Sequence, residues 1–181
     1  MKGYEVLKMN WKDKYIKALR EGKQLIGDKV MRDTFMQDKA ESLILQEVVF
    51  PTFRADLLEF NVNEGAKNYI IGYEVKSDRD TLDRLESQLK GYLTWCNYVF
   101  VLATLRHKKE LLKILDSNED FKNKVGVRFY MMSDFGKYFM PFRTAKYNDV
   151  KGKGLNIDWI TRNNKLFRWN YLLRDIYGIE L

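Results

Sequence analysis

Arg54-Ala55-Asp56-Leu57-Leu58-Glu59-Phe60 and, after the link Asn61-Val62-Asn63-Glu64-Gly65-Ala66-Lys67-Asn68, Tyr69-Ile70-Ile71-Gly72-Tyr73-Glu74-Val75-Lys76-Ser77 read as two neighbouring β-strands. The β-branched and aromatic content of Tyr69 to Tyr73 marks a buried strand. Side chains two apart on a strand share a face, so Glu74 and Lys76 point one way and Val75 the other. In the first segment Arg54, Asp56, Leu58 and Phe60 alternate against Ala55, Leu57 and Glu59. The link is polar and contains Gly65, as an antiparallel hairpin connection requires. Asp56 and Glu74 are therefore expected to meet across adjacent strands.

Two carboxylates about 4 Å apart repel by roughly 4 kcal/mol at an effective dielectric near 20, so such a pair shares a proton, recruits a cation or diverges. Oxygen-rich sites of this kind suit Mg²⁺ or Mn²⁺, and a neighbouring lysine can hold or help deprotonate an attacking water. The bare pattern Asp/Glu-X-Lys is weak, since it recurs at Glu21-Gly22-Lys23, Asp120-Phe121-Lys122 and Asp149-Val150-Lys151. Only the Glu74 copy ends an apolar strand, follows a partner aspartate and runs into a well-marked helix. That helix is expected to start near Asp78 or Asp80, either of which could cap it, with Leu82, Leu85, Leu89, Tyr92, Leu93 and Cys96 as its apolar stripe. Asp80, Arg84, Gln88 and Tyr92 form a second row at spacing four that borders the stripe. Taken alone, that row reads as a surface ion pair and a tyrosine at the core edge.

Together these residues resemble the PD-(D/E)XK nuclease superfamily, and within it the RecB-like members with a Gln-x-x-x-Tyr motif, matched here by Gln88 and Tyr92. The resemblance extends to a group of bacterial and phage proteins carrying Arg-x-Asp, Glu-[Ile/Val]-Lys-Ser and Asp-[Thr/Ser]-Leu-x-Arg-Leu-x-x-Gln-x-x-x-Tyr; the last block is Asp80 to Tyr92 in this chain. It covers roughly residues 38–104. It implies a restriction-endonuclease-like α/β core of one helix, three antiparallel strands, a helix and a fourth strand, in a mixed sheet flanked by helices. It also implies Asp56 and Glu74 as ligands of Mg²⁺ or Mn²⁺, a backbone carbonyl from Val75, Lys76 as the catalytic lysine, and Gln88 with Tyr92 orienting substrate or metal-bound water. Glu47, an acid before a short apolar strand and Arg-x-Asp, is the preferred accessory ligand, with Glu41 as the fallback. The proline usual before the first aspartate is replaced by Ala55. Arg54, Ser77 and Arg84 flank these motifs and are expected at the nucleic acid.

At 181 residues, 45% hydrophobic and 31% charged, the chain has enough length for one core. No repeat and no Pro-, Ser- or Gln-rich linker divides it, so a single domain over 1–181 is expected. One cysteine, Cys96, excludes a disulfide framework, and one histidine, His107, makes a zinc cluster implausible. There is no Walker-type phosphate loop. Met1 to Lys14 interleaves charge with apolar residues and carries no export or membrane signal, so a cytoplasmic protein is expected.

Elsewhere the patterns predict helix over 11–21 and 28–44, strand over 45–50, a central strand over Tyr98–Ala103 flanked by helices, helix over His107–Leu115, strand over Val125–Met131 and helix over Lys165–Tyr177. Residues 135–181 read as a basic, aromatic extension. From Lys137 to Arg174 nine Lys or Arg face Asp149 and Asp158, a surplus of seven that equals the net charge of +7 for the whole chain. Such a face can track phosphates through Lys151, Lys153, Arg162 and Arg168, with aromatics stacking on unpaired bases. Leu166, Trp169, Leu173 and Ile176 fall at helical spacing, however, so several of those rings read equally as core. The expected partner is double- or single-stranded DNA, with a homodimer or a protein partner open. Two functions compete: a Mg²⁺-dependent deoxyribonuclease of repair, recombination, phage or defence, and a catalytically silent nuclease-like fold that binds DNA or protein.

Overall fold

Two strands that the sequence marks as apolar throughout, β3 (Tyr69–Lys76) and β4 (Tyr98–Ala103), lie side by side and parallel in the interior of a six-stranded sheet. A computed structural model describes residues 25–150 apart from 41, 51, 62–68 and 135. Its elements run α1 (Asp28–Asp38), β1 (Leu43–Val49), β2 (Arg54–Asn61), β3, α2 (Leu85–Trp95), β4, a 3-10 turn (Leu105–His107), α3 (Lys108–Asp116), α4 (Glu119–Lys124), β5 (Val125–Ser133) and β6 (Gly136–Arg143). The strands are ordered in space as in sequence. β1–β2, β2–β3 and β5–β6 are antiparallel, whereas β3–β4 and β4–β5 are parallel. Parallel neighbours need crossover connections, and α2 and then α3 with α4 supply them.

Helices cover both faces. α2, α3 and α4 bury Leu85, Leu89, Tyr92, Leu111, Leu115 and Phe121 against one side of the sheet. On the other side α1 packs Met31 and Phe35 against Ile44, Leu57, Tyr73, Val75 and Leu102. Burial on both faces is why β3 and β4 read as continuous apolar runs. The approach of α2 depends on Gly72, where an added Cβ would fall 2.4 Å from the Tyr92 ring and 2.9 Å from Cys96 Sγ.

Several expected boundaries shift for tertiary reasons. α1 stops at Asp38 instead of running to 44, and β1 begins at Leu43. Here Lys39 and Ser42 turn to donate to Glu59 on β2, 2.9 Å each, which a continuing helix would not allow. α2 starts at Leu85 with neither Asp78 nor Asp80 as its cap. Asp80 accepts from the Ser77 N–H and hydroxyl, and Asp78 accepts from the Ile26 N–H, so both carboxylates brace the loop before the helix. Asp80 and Arg84 consequently fall outside the helical row expected for them.

Two elements were not anticipated. α4 is capped by Asn118, whose side chain accepts from the Asp120 and Phe121 N–H groups, a helix start of ordinary chemistry. Strand β6 lies inside the stretch expected to be an extension. It pairs with β5 and buries Phe139 while Tyr138 and Phe142 remain exposed. Residues 136–143 therefore belong to the sheet. Glu41, the expected helices over 11–21 and 165–177, and Lys151, Lys153, Arg162 and Arg168 lie outside the described residues.

Candidate active site at the splayed ends of two strands

The β2–β3 ladder runs from Asn61↔Tyr69 to Leu57↔Tyr73 and stops one pair short of Asp56 and Glu74. Beyond that point the strands are joined by side chains. Tyr92, fully buried on α2, accepts the Asp56 N–H (2.8 Å) and donates to the Tyr73 carbonyl (2.9 Å). Asp56 Oδ2 accepts the Val75 N–H at 2.8 Å. A phenol from the helix thus satisfies two main-chain groups that separated strands would otherwise leave unpaired.

The irregularity extends into β1. Registered pairs flank Glu47 and Asp56, at Gln46↔Leu57 and Val48↔Ala55, and Glu47 has φ +55°. It is the single non-glycine residue with positive φ among the described residues. A left-handed residue of this type costs about 1–2 kcal/mol. Residues three apart on a regular strand face opposite ways, yet Leu45 and Val48 share the core under α2, as do Ala55 and Leu58. Both strands have rolled at the 47/56 position.

On β3, Glu74 and Lys76 lie on the Gly72 face toward α2, as the alternation requires. Lys76 Nζ sits 2.7 Å from Glu74 Oε1 and donates to Gln88 Oε1 at 3.0 Å. Glu74 is 1% exposed, and its Oε2 has no hydrogen-bond partner among the described residues. The Tyr92 hydroxyl lies close enough to act on Glu74, but its one hydrogen is directed to the Tyr73 carbonyl. Burial, reinforced by repulsion from Asp56 and opposed by Lys76 and the neighbouring Tyr92 hydroxyl, pushes the Glu74 carboxyl up to about 7. Burial also raises Asp56 above the usual carboxylate range, against the Val75 N–H and the positive charges of Arg32 and Lys76.

Arg32 is the residue that sequence reasoning missed. From α1 its Nη2 lies 3.0 Å from Asp56 Oδ1 and 2.7 Å from Glu47 Oε1; Nη1 donates to the Asp56 carbonyl and Nε to Asp28. Its sequence cue is faint: a cation beside the buried Met31 and four residues after Asp28, which looks like a surface ion pair. Only tertiary packing turns it toward β2.

The expected site residues thus divide. Asp56, Glu74, Lys76, Gln88 and Tyr92 are brought together, and Val75 contributes its N–H to Asp56 while its side chain packs on the α1 face. Glu47 is close but spent on ion pairs, with Oε1 at Arg32 and Oε2 at Arg54 (2.8 Å). Tyr92 spends its hydroxyl on the strand gap, accepting from Asp56 and donating to Tyr73. Ser77 is 1% exposed and bonded to Asp80, so it does not present itself to a nucleic acid. Arg54 is exposed and paired with Glu47, and Arg84 is exposed at the start of α2.

A divalent ion fits the donor set of Asp56, Glu74 and the Val75 carbonyl in one specific respect: a buried carboxylate oxygen, Glu74 Oε2, lacks a donor and its group resists ionising without one. Among the described residues no three His, Cys, Asp or Glu side chains form a metal-holding group. Two carboxylates suit a small hard ion that keeps several waters.

The fold and site define a mixed α/β protein with a buried glutamate, a half-buried aspartate and a lysine at the splayed ends of two strands. A profile of the family described as bacteriophage P4 protein cII matches residues 13–166, and the chain belongs to that family. No curated protein matches the chain significantly. Among solved structures, the SPO1766 protein of unknown function from Silicibacter pomeroyi is similar at 16% identity and a TM-score of 0.49, covering 83% of this chain and 92% of that one. Among the described residues no helix is long and apolar enough to cross a membrane.

Proposed function

We propose that the chain is a metal-dependent nuclease with a restriction-endonuclease-like core, acting on DNA in the cytoplasm in a phage-related setting. The order α1, three antiparallel strands, α2 and a fourth strand supports such a core. The phage setting rests on the name of the matching family. The observation that carries the chemistry is Glu74: a buried carboxylate with one oxygen at Lys76 and the other without a partner, raised further by Asp56.

Asp56, Glu74 and the Val75 carbonyl would hold Mg²⁺ or Mn²⁺, which supplies charge neutralisation for a phosphodiester and a more acidic bound water. The protein's own groups do the rest. Lys76 presents its side-chain nitrogen beside Glu74, where the ammonium can hold the attacking water by donating to it and the neutral amine can take a proton from it. Gln88 fixes that ammonium through its amide oxygen. Tyr92 holds β2 and β3 apart so that Asp56 turns toward Glu74 instead of entering the ladder.

The purified protein should degrade linear or single-stranded DNA with Mg²⁺ or Mn²⁺ and stop when chelator is added. Asp56→Ala, Glu74→Ala and Lys76→Ala should each abolish cutting with the fold intact. A specific observation favours the silent DNA- or protein-binding reading: Asp56 and Glu74 already pair with Arg32 and Lys76, which lowers their need for a metal. DNA binding without product from DNA or RNA, under any divalent ion, would decide for that reading.

A further inference from the structure

Arg32 occupies the position between two of the carboxylates that the motif reading assigned to metal. Its Nη2 bridges Glu47 Oε1 at 2.7 Å and Asp56 Oδ1 at 3.0 Å, and its side chain is 11% exposed. Nη1 donates to the Asp56 carbonyl at 2.9 Å, and Nε donates to the two Asp28 oxygens at 2.8 and 3.0 Å. All three guanidinium nitrogens are engaged, and a guanidinium does not lose its proton in a protein. A fixed positive charge therefore stands between Glu47 and Asp56.

We propose that Arg32 is a built-in cation filling the seat between Glu47 and Asp56, so that the site takes a single divalent ion, between Asp56 and Glu74, and Glu47 anchors Arg32 instead of binding metal. This rests on the metal-site reading above and deepens it. A second ion at the Glu47–Asp56 seat would lie in contact with the guanidinium, a like charge with no water between. The remaining Glu47 oxygen is held by Arg54 at 2.8 Å, so turning Glu47 toward the Glu74 side would break two ion pairs. Glu47, left-handed at φ +55°, reaches both arginines with its carboxylate. Strain of this type persists where surrounding contacts over-determine it. On the other side, Asp56 Oδ2 and the unpartnered Glu74 Oε2 remain for the ion, with Oδ2 receiving the Val75 N–H alone. Arg32 is thus a positioning residue: it fixes the Asp56 carboxylate and carbonyl together and excludes a second ion.

Mn²⁺ binding to the full chain, followed by calorimetry and by electron paramagnetic resonance, tests this without relying on cleavage. One ion per chain is expected for the wild type. Asp56→Asn and Glu74→Gln, which remove first-sphere ligands, should each weaken it by more than about 100-fold, whereas Glu47→Gln, acting one shell out, should keep the single ion with a loss of about 10- to 100-fold. Arg32→Met, which removes the shared counter-charge, should admit a second, weaker ion, and Arg32→Met with Glu47→Gln should return the count to one. Where Arg32→Met fails to fold, the wild-type stoichiometry and the Glu47→Gln affinity decide by themselves. Two ions on the wild type, loss of the ion in Glu47→Gln, or a folded Arg32→Met that still takes one ion would each overturn the role of Arg32 and leave the metal site standing. A wild type that binds no Mn²⁺ would overturn the metal site and this inference with it.

Discussion

Replacing Tyr92 by Phe removes one oxygen, and the structure assigns that oxygen two main-chain partners. The Asp56 N–H loses its acceptor and the Tyr73 carbonyl its donor, at a spot closed off by the fully buried ring. An orphaned buried donor costs about 1–3 kcal/mol, and a carbonyl with a second lone pair falls at the low end of that range, so the loss should be about 2–4 kcal/mol. With a urea dependence of about 2 kcal/mol per molar, the unfolding midpoint should fall by about 1–2 M with its slope unchanged. Native-state hydrogen exchange should place the Asp56 amide among the groups that lose most protection. Because the hydroxyl keeps Asp56 out of the ladder, Mn²⁺ affinity should drop alongside stability. A midpoint shift below about 0.2 M, with the Asp56 amide as protected as before, would refute the role given to Tyr92 in holding the strands apart.

Gly72→Ala places a methyl 2.4 Å from the Tyr92 ring, and such overpacking costs about 1–3 kcal/mol; thermal melts should show the loss, and Mn²⁺ affinity should fall with it because the ring is what moves. The Glu74 carboxyl, raised to about 7 by burial and by Asp56, must lose its proton before it can bind a cation. Mn²⁺ affinity should therefore climb about tenfold per pH unit below 7 and level off above it; a flat profile from pH 5 to 8 would show that Glu74 is not a ligand. Neutralising Lys151, Lys153, Arg162 and Arg168 together should weaken DNA binding and flatten its salt dependence, and an unchanged slope would remove those residues from the interface.

The local patterns carried a large part of the fold. β3, β4 and β5 were legible because burial on two faces demands uninterrupted apolar runs, and α2 because its stripe repeats at three and four. β6 was not, because an edge strand that buries Phe139 and exposes Tyr138 and Phe142 has the composition of a basic, aromatic surface segment. The end of α1 and the start of α2 were misjudged because Glu59, Ser77 and Ile26, remote from those ends or outside the helices, compete for the capping and turn residues.

By itself the sequence determined the side-chain alternation that puts Glu74 and Lys76 on one face, the helix that carries Gln88 and Tyr92, and the pairing of β2 with β3, since strand and helix periods are properties of the local chain. Only the tertiary structure decided what those residues do to one another. It spent the Tyr92 hydroxyl on the gap between two strands, rolled β1 and β2 at Glu47 and Asp56, left one oxygen of Glu74 without a donor, and brought Arg32 between two carboxylates. Each of these is set by contact between segments distant in sequence and by the exclusion of water, and neither is written into any local repeat.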